Sequence, residues 1–157
     1  MKTIAPADIA HTAPSPGRLR RRREFLNAAN SGVRASGPLF TIQMADQDRM
    51  LRSKTMALPL LDAPPRFGLT VTKKVAGAVG RNRIRRRLRA ALHAGGGHGL
   101  GARAGQDYVI IARREALNAP FAEILSQMAE GFARLQDRKA ARSRRNQTER
   151  TGVPRDE

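Results

Sequence analysis

The most distinctive chemistry in the chain lies between Lys73 and Leu92, which reads KKVAGAVGRNRIRRRLRAAL. A guanidinium group is a planar fork of donors that matches phosphate oxygens two at a time and stacks on bases. Asn82 adds a donor and an acceptor that suit a base edge or a 2′-hydroxyl. The stretch has no acidic residue and eight basic ones, which are Lys73, Lys74, Arg81, Arg83, Arg85, Arg86, Arg87 and Arg89. These residue types indicate binding of a nucleic acid.

The second part of this stretch has the periodicity of a helix, from about Gly80 or Arg81 to His93. A core-facing stripe with i, i+4, i+7, i+8 spacing is formed by Ile84, Leu88, Ala91 and Leu92. At about 100° per residue, a different side of the helix gathers Asn82, Arg85, Arg86 and Arg89. A charge run is often only a solvated face, but solvated faces normally mix both signs. We therefore favour a nucleic-acid surface.

The composition of the whole chain agrees with this interpretation. Thirty basic and thirteen acidic residues among 157 give a net charge of +17. A net charge this large indicates which partners the protein binds and says little about its fold. The first candidate is a nucleic acid and the second is an anionic membrane surface. The membrane alternative needs an apolar face beside the cations. The chain has no cysteine, no signal-peptide pattern and no apolar run of membrane-spanning length, so we expect a soluble, cytoplasmic protein.

The sequence predicts one domain between two tails. Residues 1–17 are rich in Ala, Pro and Thr and predict a disordered tail; residues 18–136 predict the folded domain. Residues 137–157 are polar and basic without an apolar period, and they predict a second disordered tail. Within the domain we expect a short helix from Arg18 to a stop at Ser31-Gly32, and strands over 39–44, 66–72 and 107–112.

The remaining elements complete an α+β domain with one sheet. Residues 46–48 predict a turn, residues 49–62 are ambiguous between strand and loop, and residues 95–101 predict a glycine-rich loop. After Asn118 and Pro120 comes the best amphipathic helix of the chain. Its apolar stripe, which we assign to the core and not to a binding groove, is Phe121, Ile124, Leu125, Met128, Phe132 and Leu135.

The chain shows no self-sufficient active site. A protein that hydrolyses phosphodiesters usually needs clustered carboxylates for Mg²⁺ or a paired acid and base, and the acidic residues here are scattered. Asp46 and Asp48 look like turn residues. His11, His93 and His98 have no ligand spacing to a carboxylate, so we predict neither catalytic nor metal-binding residues.

Two motifs together resemble the protein subunit family of bacterial ribonuclease P. They are RFGLTVTKKVAGAVGRNRIRRRLRAAL and the downstream DYVIIARR. The family has an Arg-x-Gly strand that ends in two lysines and is followed by an Arg-Asn-Arg helix. The resemblance covers about residues 18–135. The matching residues are Arg66, Gly68, Lys73, Lys74, Arg81, Asn82, Arg83, Arg85, Arg86 and Arg89.

The resemblance implies both a fold and a function. The fold would be a small α/β sandwich with one mostly antiparallel sheet and a left-handed βαβ crossover, as in one ribosomal protein domain. The chain would join a catalytic RNA, its partner, and the complex would remove the 5′ leader from precursor tRNA. The RNA subunit and Mg²⁺, bound mainly by that RNA, would carry out the hydrolysis. Except for Gly68, the matching residues would contact RNA.

The resemblance also implies a cleft for the single-stranded leader between the first helix and the sheet, where bases can stack on aromatic rings. Phe25 and Phe40 match aromatic positions of that cleft, with core packing as the alternative for both. The chain departs from the pattern at Ala29 and Gln43, where the family commonly has aromatic residues, so stacking would be weaker. The segment 46–65 is longer than the family pattern.

Three other functions remain to be distinguished. A ribosomal protein or general RNA chaperone would have the same charge, but the joint presence of the lysine pair and the Arg-Asn-Arg helix disfavours it. An autonomous metal nuclease would require Asp46 or Asp48 at its active site. A DNA-binding helix-turn-helix protein would need a short helix packed just before the recognition helix, which the sequence lacks.

Overall fold

A computed structural model describes residues 17–47, 64–94 and 100–151. Most of the first predicted tail, the ambiguous segment 49–62, most of the glycine loop, Asp48, His11 and His98 lie outside these ranges. The described elements are β1 (Gly17–Arg18), α1 (Arg22–Asn30), β2 (Val33–Ser36), β3 (Phe40–Asp46), β4 (Arg66–Thr70), α2 (Ala78–Ala94), β5 (Gln106–Ala112), a short 3-10 helix (Arg114–Leu117) and α3 (Phe121–Thr151).

The described strands form one sheet in the order β1-β4-β5-β3-β2. β3 pairs antiparallel with both β2 and β5, whereas β4 pairs parallel with both β1 and β5. The sheet is therefore mixed, and its longest pairing, between β3 and β5, is antiparallel, in agreement with the prediction of a mostly antiparallel sheet. The parallel part arises from α2, which returns the chain to the same end of the sheet so that β5 runs parallel to β4. The α+β class is confirmed, and the left-handed crossover stays a prediction.

The main core lies between one face of the sheet and the helical layer made by α2 and α3. Strand alternation places Phe40, Ile42 and Met44 on this face. Tyr108 is the centre of an aromatic cluster, with its ring centroid 5.5 Å from that of Phe67 and 4.9 Å from that of Phe132. Such ring pairs add about 0.5–1.5 kcal/mol beyond the area that they bury.

The predicted apolar stripe of α3 is confirmed as core. Ile124, Met128, Phe132 and Leu135 are fully buried, whereas Phe121, the first residue of the helix, is 39% exposed. Gly131 lets the helix approach the sheet closely, because a Cβ atom there would lie 2.7 Å from Ile42 Cδ1.

α3 continues to Thr151, so the predicted disorder is wrong for residues 137–151. Arg, Ala, Lys, Gln and Glu are good helix formers even without an apolar stripe, and basic side chains attach this part to the sheet edge. Lys139 forms an ion pair with Asp46 at 2.5 Å. Guanidinium groups donate to three backbone carbonyls at or just before β2, in the pairs Arg134 to Ser36, Arg138 to Arg34 and Arg142 to Ser31.

α1 begins later than predicted, at Arg22 and not at Arg18. The preceding residues are extended because Gly17 and Arg18 pair with β4, and the Leu19 N–H donates to the Phe67 carbonyl at 3.0 Å. Within the described ranges, we find no helix with the length and apolar character needed to span a membrane.

Candidate nucleic-acid interface

α2 presents most of the predicted RNA-binding side chains to solvent. Its opposite side is anchored because Ile84, Leu88, Ala91 and Leu92 are at most 4% exposed. Burying a leucine or isoleucine side chain contributes about 1.5–3 kcal/mol, so the orientation of the helix is well determined. Arg81 and Arg85 are half-buried. The exposed members of the predicted set are Lys73, Lys74, Asn82, Arg83, Arg86 and Arg89.

This surface carries positive charge that is not neutralised by protein carboxylates. No Asp or Glu occurs from Lys73 to Ala94. Across the described parts of the chain, none of the ion pairs involves a residue of α2. Arg85 donates to the Asn82 side-chain oxygen at 3.3 Å, which holds these two groups side by side. Neighbouring like charges repel, and a polyanion would relieve that repulsion.

Arg87 differs from its neighbours on α2. Its Nη1 donates to the carbonyls of Ala116 at 2.8 Å and Leu117 at 2.9 Å, and its Nη2 donates to the Ala119 carbonyl. These carbonyls lie at and just after the end of the 3-10 helix, where backbone acceptors lack helical partners. Arg87 therefore joins α2 to the segment before α3, and it was not among the predicted contacts.

The prediction that Arg66 contacts RNA conflicts with its position. Its Nε and Nη2 donate to the two oxygens of Asp107, at 2.8 and 2.7 Å, and its Nη1 donates to Glu24 at 3.0 Å. The Asp107 side chain is fully buried and that of Arg66 is 17% exposed. A buried carboxylate requires such a partner, so we reassign Arg66 to the fold, where it connects α1, β4 and β5.

Glu24 is the second acidic partner of this network. Burial by itself would raise the pKa of Glu24, but hydrogen bonds from the backbone N–H groups of Arg21 and Arg20 and the charge of Arg66 outweigh it, so the pKa is lowered. For Arg66, burial disfavours the charged form, yet Asp107 and Glu24 raise its pKa above the ordinary value. Both groups are thus ionised at neutral pH.

The other face of the sheet carries the candidate leader cleft. α1 covers part of this face through Phe25 and Ala28, which pack with Leu19, Ala45 and Val109. Phe25 lies directly on Gly68, where a Cβ atom would come within 2.5 Å of the ring. Gln43 lies opposite Val109 in the strand register and is 8% exposed. Phe25 and Gln43 therefore border the same face.

Phe40 does not belong to this cleft. It alternates with Thr41, points to the opposite face of the sheet, and is 3% exposed in the main core. Of the two alternatives for Phe40, core packing is correct. An aromatic match in sequence could not decide this, because a shift of one residue along a strand changes the face.

Two arginines on the cleft side were missed by the sequence predictions. Arg34 faces Gln43 in the β2–β3 register and is exposed. Arg113 directly follows β5 and donates to Thr41 Oγ1 at 3.5 Å. The sequence contained a signal for each of them, because Arg34 occupies an outward position of a short strand and Arg113 belongs to the DYVIIARR motif.

A cavity of about 300 Å³ lies beside β4, between the two candidate surfaces. Phe25, Leu19 and Gly68 line one side, and Arg85 and Arg89 line another. β1 pairs only with the first two residues of β4, which leaves room for the cavity along the rest of that strand. His93 is exposed at the rim. Cationic and aromatic groups thus meet in one depression.

Within the described ranges, no group of three or more His, Asp or Glu side chains is arranged to hold a metal ion. Asp46, one of the two carboxylates considered for a nuclease site, forms its ion pair with Lys139 and also accepts a hydrogen bond from Gln106 at 3.3 Å.

Comparison with known proteins identifies the family. The sequence model of the family described as Ribonuclease P matches residues 14–136, which is most of the chain. The chain belongs to the ribonuclease P protein family. It is accordingly a protein subunit of ribonuclease P, a ribonucleoprotein endoribonuclease.

Individual ribonuclease P proteins support the same assignment. The ribonuclease P protein component of Brucella suis is 38% identical over 135 residues, covering 86% of this chain and 91% of the relative. The ribonuclease P protein component of Bartonella quintana is 40% identical over 114 residues, covering 73% of this chain and 79% of the relative. The fold matches the solved ribonuclease P protein of Thermotoga maritima with a TM-score of 0.55, at 24% identity over 72% of this chain and 92% of that one.

The ribonuclease P family match also separates two parts of the molecule. It includes α1, the sheet, α2 and the core-facing part of α3, and it ends at residue 136. The basic continuation of α3 over residues 137–151 lies beyond it.

Proposed function

We propose that this subunit binds the catalytic RNA of ribonuclease P through the exposed cations of α2 and through Lys73 and Lys74. The observation that carries the proposal is the α2 surface, where a buried aliphatic stripe fixes the helix and an opposite side presents cations without carboxylates. Such a surface suits closely spaced phosphates, because arginine forks pair with phosphate oxygens and each contact releases counterions.

The second part of the proposal concerns the substrate. The cleft bordered by Phe25 and Gln43 would hold the single-stranded 5′ leader of precursor tRNA, with Arg34 and Arg113 near its phosphates. Phe25 offers one stacking platform, while Gln43 offers amide donors and acceptors. Affinity for the leader would therefore depend more on polar and ionic contacts than on a row of aromatic rings.

The chemical step would belong to the RNA subunit. Mg²⁺ requires oxygen ligands such as carboxylates, and the α2 surface consists of cations that repel it, so the ion would be held mainly by RNA. When bound there, Mg²⁺ would supply the activation of water for hydrolysis. The protein would bind the substrate and neutralise phosphates around that site, which lowers the Mg²⁺ concentration needed. We place this activity in the cytoplasm, without a membrane or small-molecule partner.

The proposal is tested by cleavage of precursor tRNA at low Mg²⁺. Three reactions are compared: the protein alone, a bacterial ribonuclease P RNA alone, and the two together. We expect a correctly trimmed 5′ end only from the mixture. Cleavage by the protein alone would mean that the protein contains its own active site, and a mixture no better than the RNA would favour a general RNA chaperone.

A further inference from the structure

We propose that the C-terminal part of α3 forms a second RNA-binding surface, a groove that takes the phosphate backbone of the same catalytic RNA. This inference rests on the proposed function of α2. The groove has a volume of about 520 Å³ and lies between the start of β2 and the basic continuation of α3. Its polar lining consists of Arg138, Arg142, Arg145, Asn146 and Glu149.

The arginines of the groove form a row along one side of α3. Arg138, Arg142 and Arg145 follow each other at i, i+4 and i+7, so they share an arc of about 60° on the helix. The Nη1 group of Arg138 donates a hydrogen bond to the Arg34 carbonyl, and that of Arg142 donates one to the Ser31 carbonyl. A guanidinium group has five N–H donors, so these side chains are positioned by the sheet and keep donors for a phosphate. Arg145 is exposed and extends the row.

The chemistry of the groove favours a polyanion over a membrane or an apolar partner. Residues 137–151 contain six basic and two acidic residues. Beyond Leu135 the described part of α3 has no large apolar residue, whereas insertion into a membrane surface needs an apolar face. Closely spaced arginines with one amide are typical of contacts to a phosphate backbone.

The position of the groove favours the catalytic RNA over the leader. α2 and α3 lie on the same face of the sheet, opposite to the face that carries α1 and the candidate cleft. The groove borders β2, at the far end of the sheet from β1 and β4. Three strand spacings separate β4 from β2, or about 14 Å. A large folded RNA that meets α2 can reach this groove without passing through the cleft.

The test measures affinity for a bacterial ribonuclease P RNA over a series of salt concentrations, using the full chain. The groove variant is Arg142→Gln/Arg145→Gln, and the matched control is Arg144→Gln/Arg150→Gln, which removes the same charge from the same helix outside the groove. Glutamine preserves helix propensity. We expect the groove variant to lose roughly five- to tenfold in affinity and about one to two units of log–log salt slope, with about twofold or less for the control.

Further variants separate the failure of this inference from the failure of the proposed function. Arg86→Gln/Arg89→Gln on α2 should weaken binding to the same RNA. If the α2 variant loses affinity and the groove variant matches its control, the groove does not bind this RNA and the proposed function stands. If neither variant loses affinity, both proposals fail. Arg142→Lys/Arg145→Lys should recover most of the binding, and circular dichroism verifies that the helix is retained.

Two additional measurements identify the occupant. Precursor tRNA and mature tRNA are each titrated without the ribonuclease P RNA. A loss of affinity confined to precursor tRNA would assign the groove to the leader and overturn the inference. Glu149→Gln should strengthen binding to the ribonuclease P RNA, because it removes the one carboxylate that lines the groove; weaker binding would contradict a phosphate contact there.

Discussion

The arginines of α2 and the arginine at the start of β4 belong to the same sequence motif but have different surroundings. Arg86 and Arg89 are exposed on a helix that contains no carboxylate, whereas Arg66 donates to Asp107 and Glu24 inside the molecule. Arg87 provides an intermediate case, since it is on α2 but donates to backbone carbonyls. A guanidinium group therefore either supports the fold or stays available to an external anion, according to the acceptors that tertiary structure brings to it.

The largest expected effect on stability is that of Arg66→Ala. It would leave the fully buried Asp107 without its main cationic partner, so we expect a loss of about 3–5 kcal/mol in the free energy of unfolding. Urea denaturation measures this change. Arg86→Ala is the matched control and should change stability by about 0.5 kcal/mol or less. Equal stability of the two variants would mean that the Arg66 ion pairs do not support the fold.

The reciprocal prediction concerns RNA affinity. Arg86→Ala/Arg89→Ala should weaken binding to ribonuclease P RNA and lower the log–log salt slope by roughly one to two units, because two phosphate contacts are lost. The fold should persist, since both side chains are exposed. Binding is measured by titration at several salt concentrations. An unchanged slope in a folded variant would show that these side chains do not meet phosphate.

Gly68 tests the contact between α1 and β4, because it lies against the Phe25 ring. Gly68→Ala would place a Cβ atom 2.5 Å from the Phe25 ring, and such overpacking costs about 1–3 kcal/mol. Thermal or urea denaturation measures the loss. Phe25→Leu in the same chain should recover part of it by making room. If Gly68→Ala alone were neutral, Phe25 would not be held against the sheet as the structure shows.

The smallest expected effect is a dependence of stability on pH. Because the pKa of Glu24 is lowered from its ordinary value of 4.5, its stabilising contribution is fully present above that value and is lost as the pH falls through the folded-state pKa. Denaturation midpoints between about pH 3 and pH 6 should fall more steeply for the natural chain than for Glu24→Gln. If the midpoints of the two proteins fell in parallel with pH, the Glu24 carboxylate would not contribute to stability through this network.

Several elements could be predicted from the sequence alone because their signals are local. The alternation of Phe40, Ile42 and Met44 identified a strand, and the i, i+3, i+4, i+7 spacing identified the core-facing part of α3. The aliphatic side of α2 determined which of its residues meet solvent. The exposure of most residues predicted to bind RNA follows from that periodicity, and their positive charge follows from the absence of carboxylates in the stretch.

Other features depend on partners that are distant in the chain. Arg66 and Asp107 are 41 residues apart, and no local pattern predicts that their side chains meet. Likewise, the Arg142 side chain donates to the Ser31 carbonyl, 111 residues away, and holds this part of α3 beside the start of β2, where the sequence suggested disorder. Phe40 matched an aromatic position of the cleft, with core packing as the alternative, and only its strand face decided that it belongs to the core.

The sequence by itself thus determined where the cations lie and which side of α2 carries them, because helical periodicity is a short-range property. Tertiary structure decided which cations are neutralised by protein groups, which strands run parallel, and which face of the sheet α1 covers. The physical reason is that ion pairs and strand register depend on atoms brought together only by folding, and their free energy exists only in that arrangement.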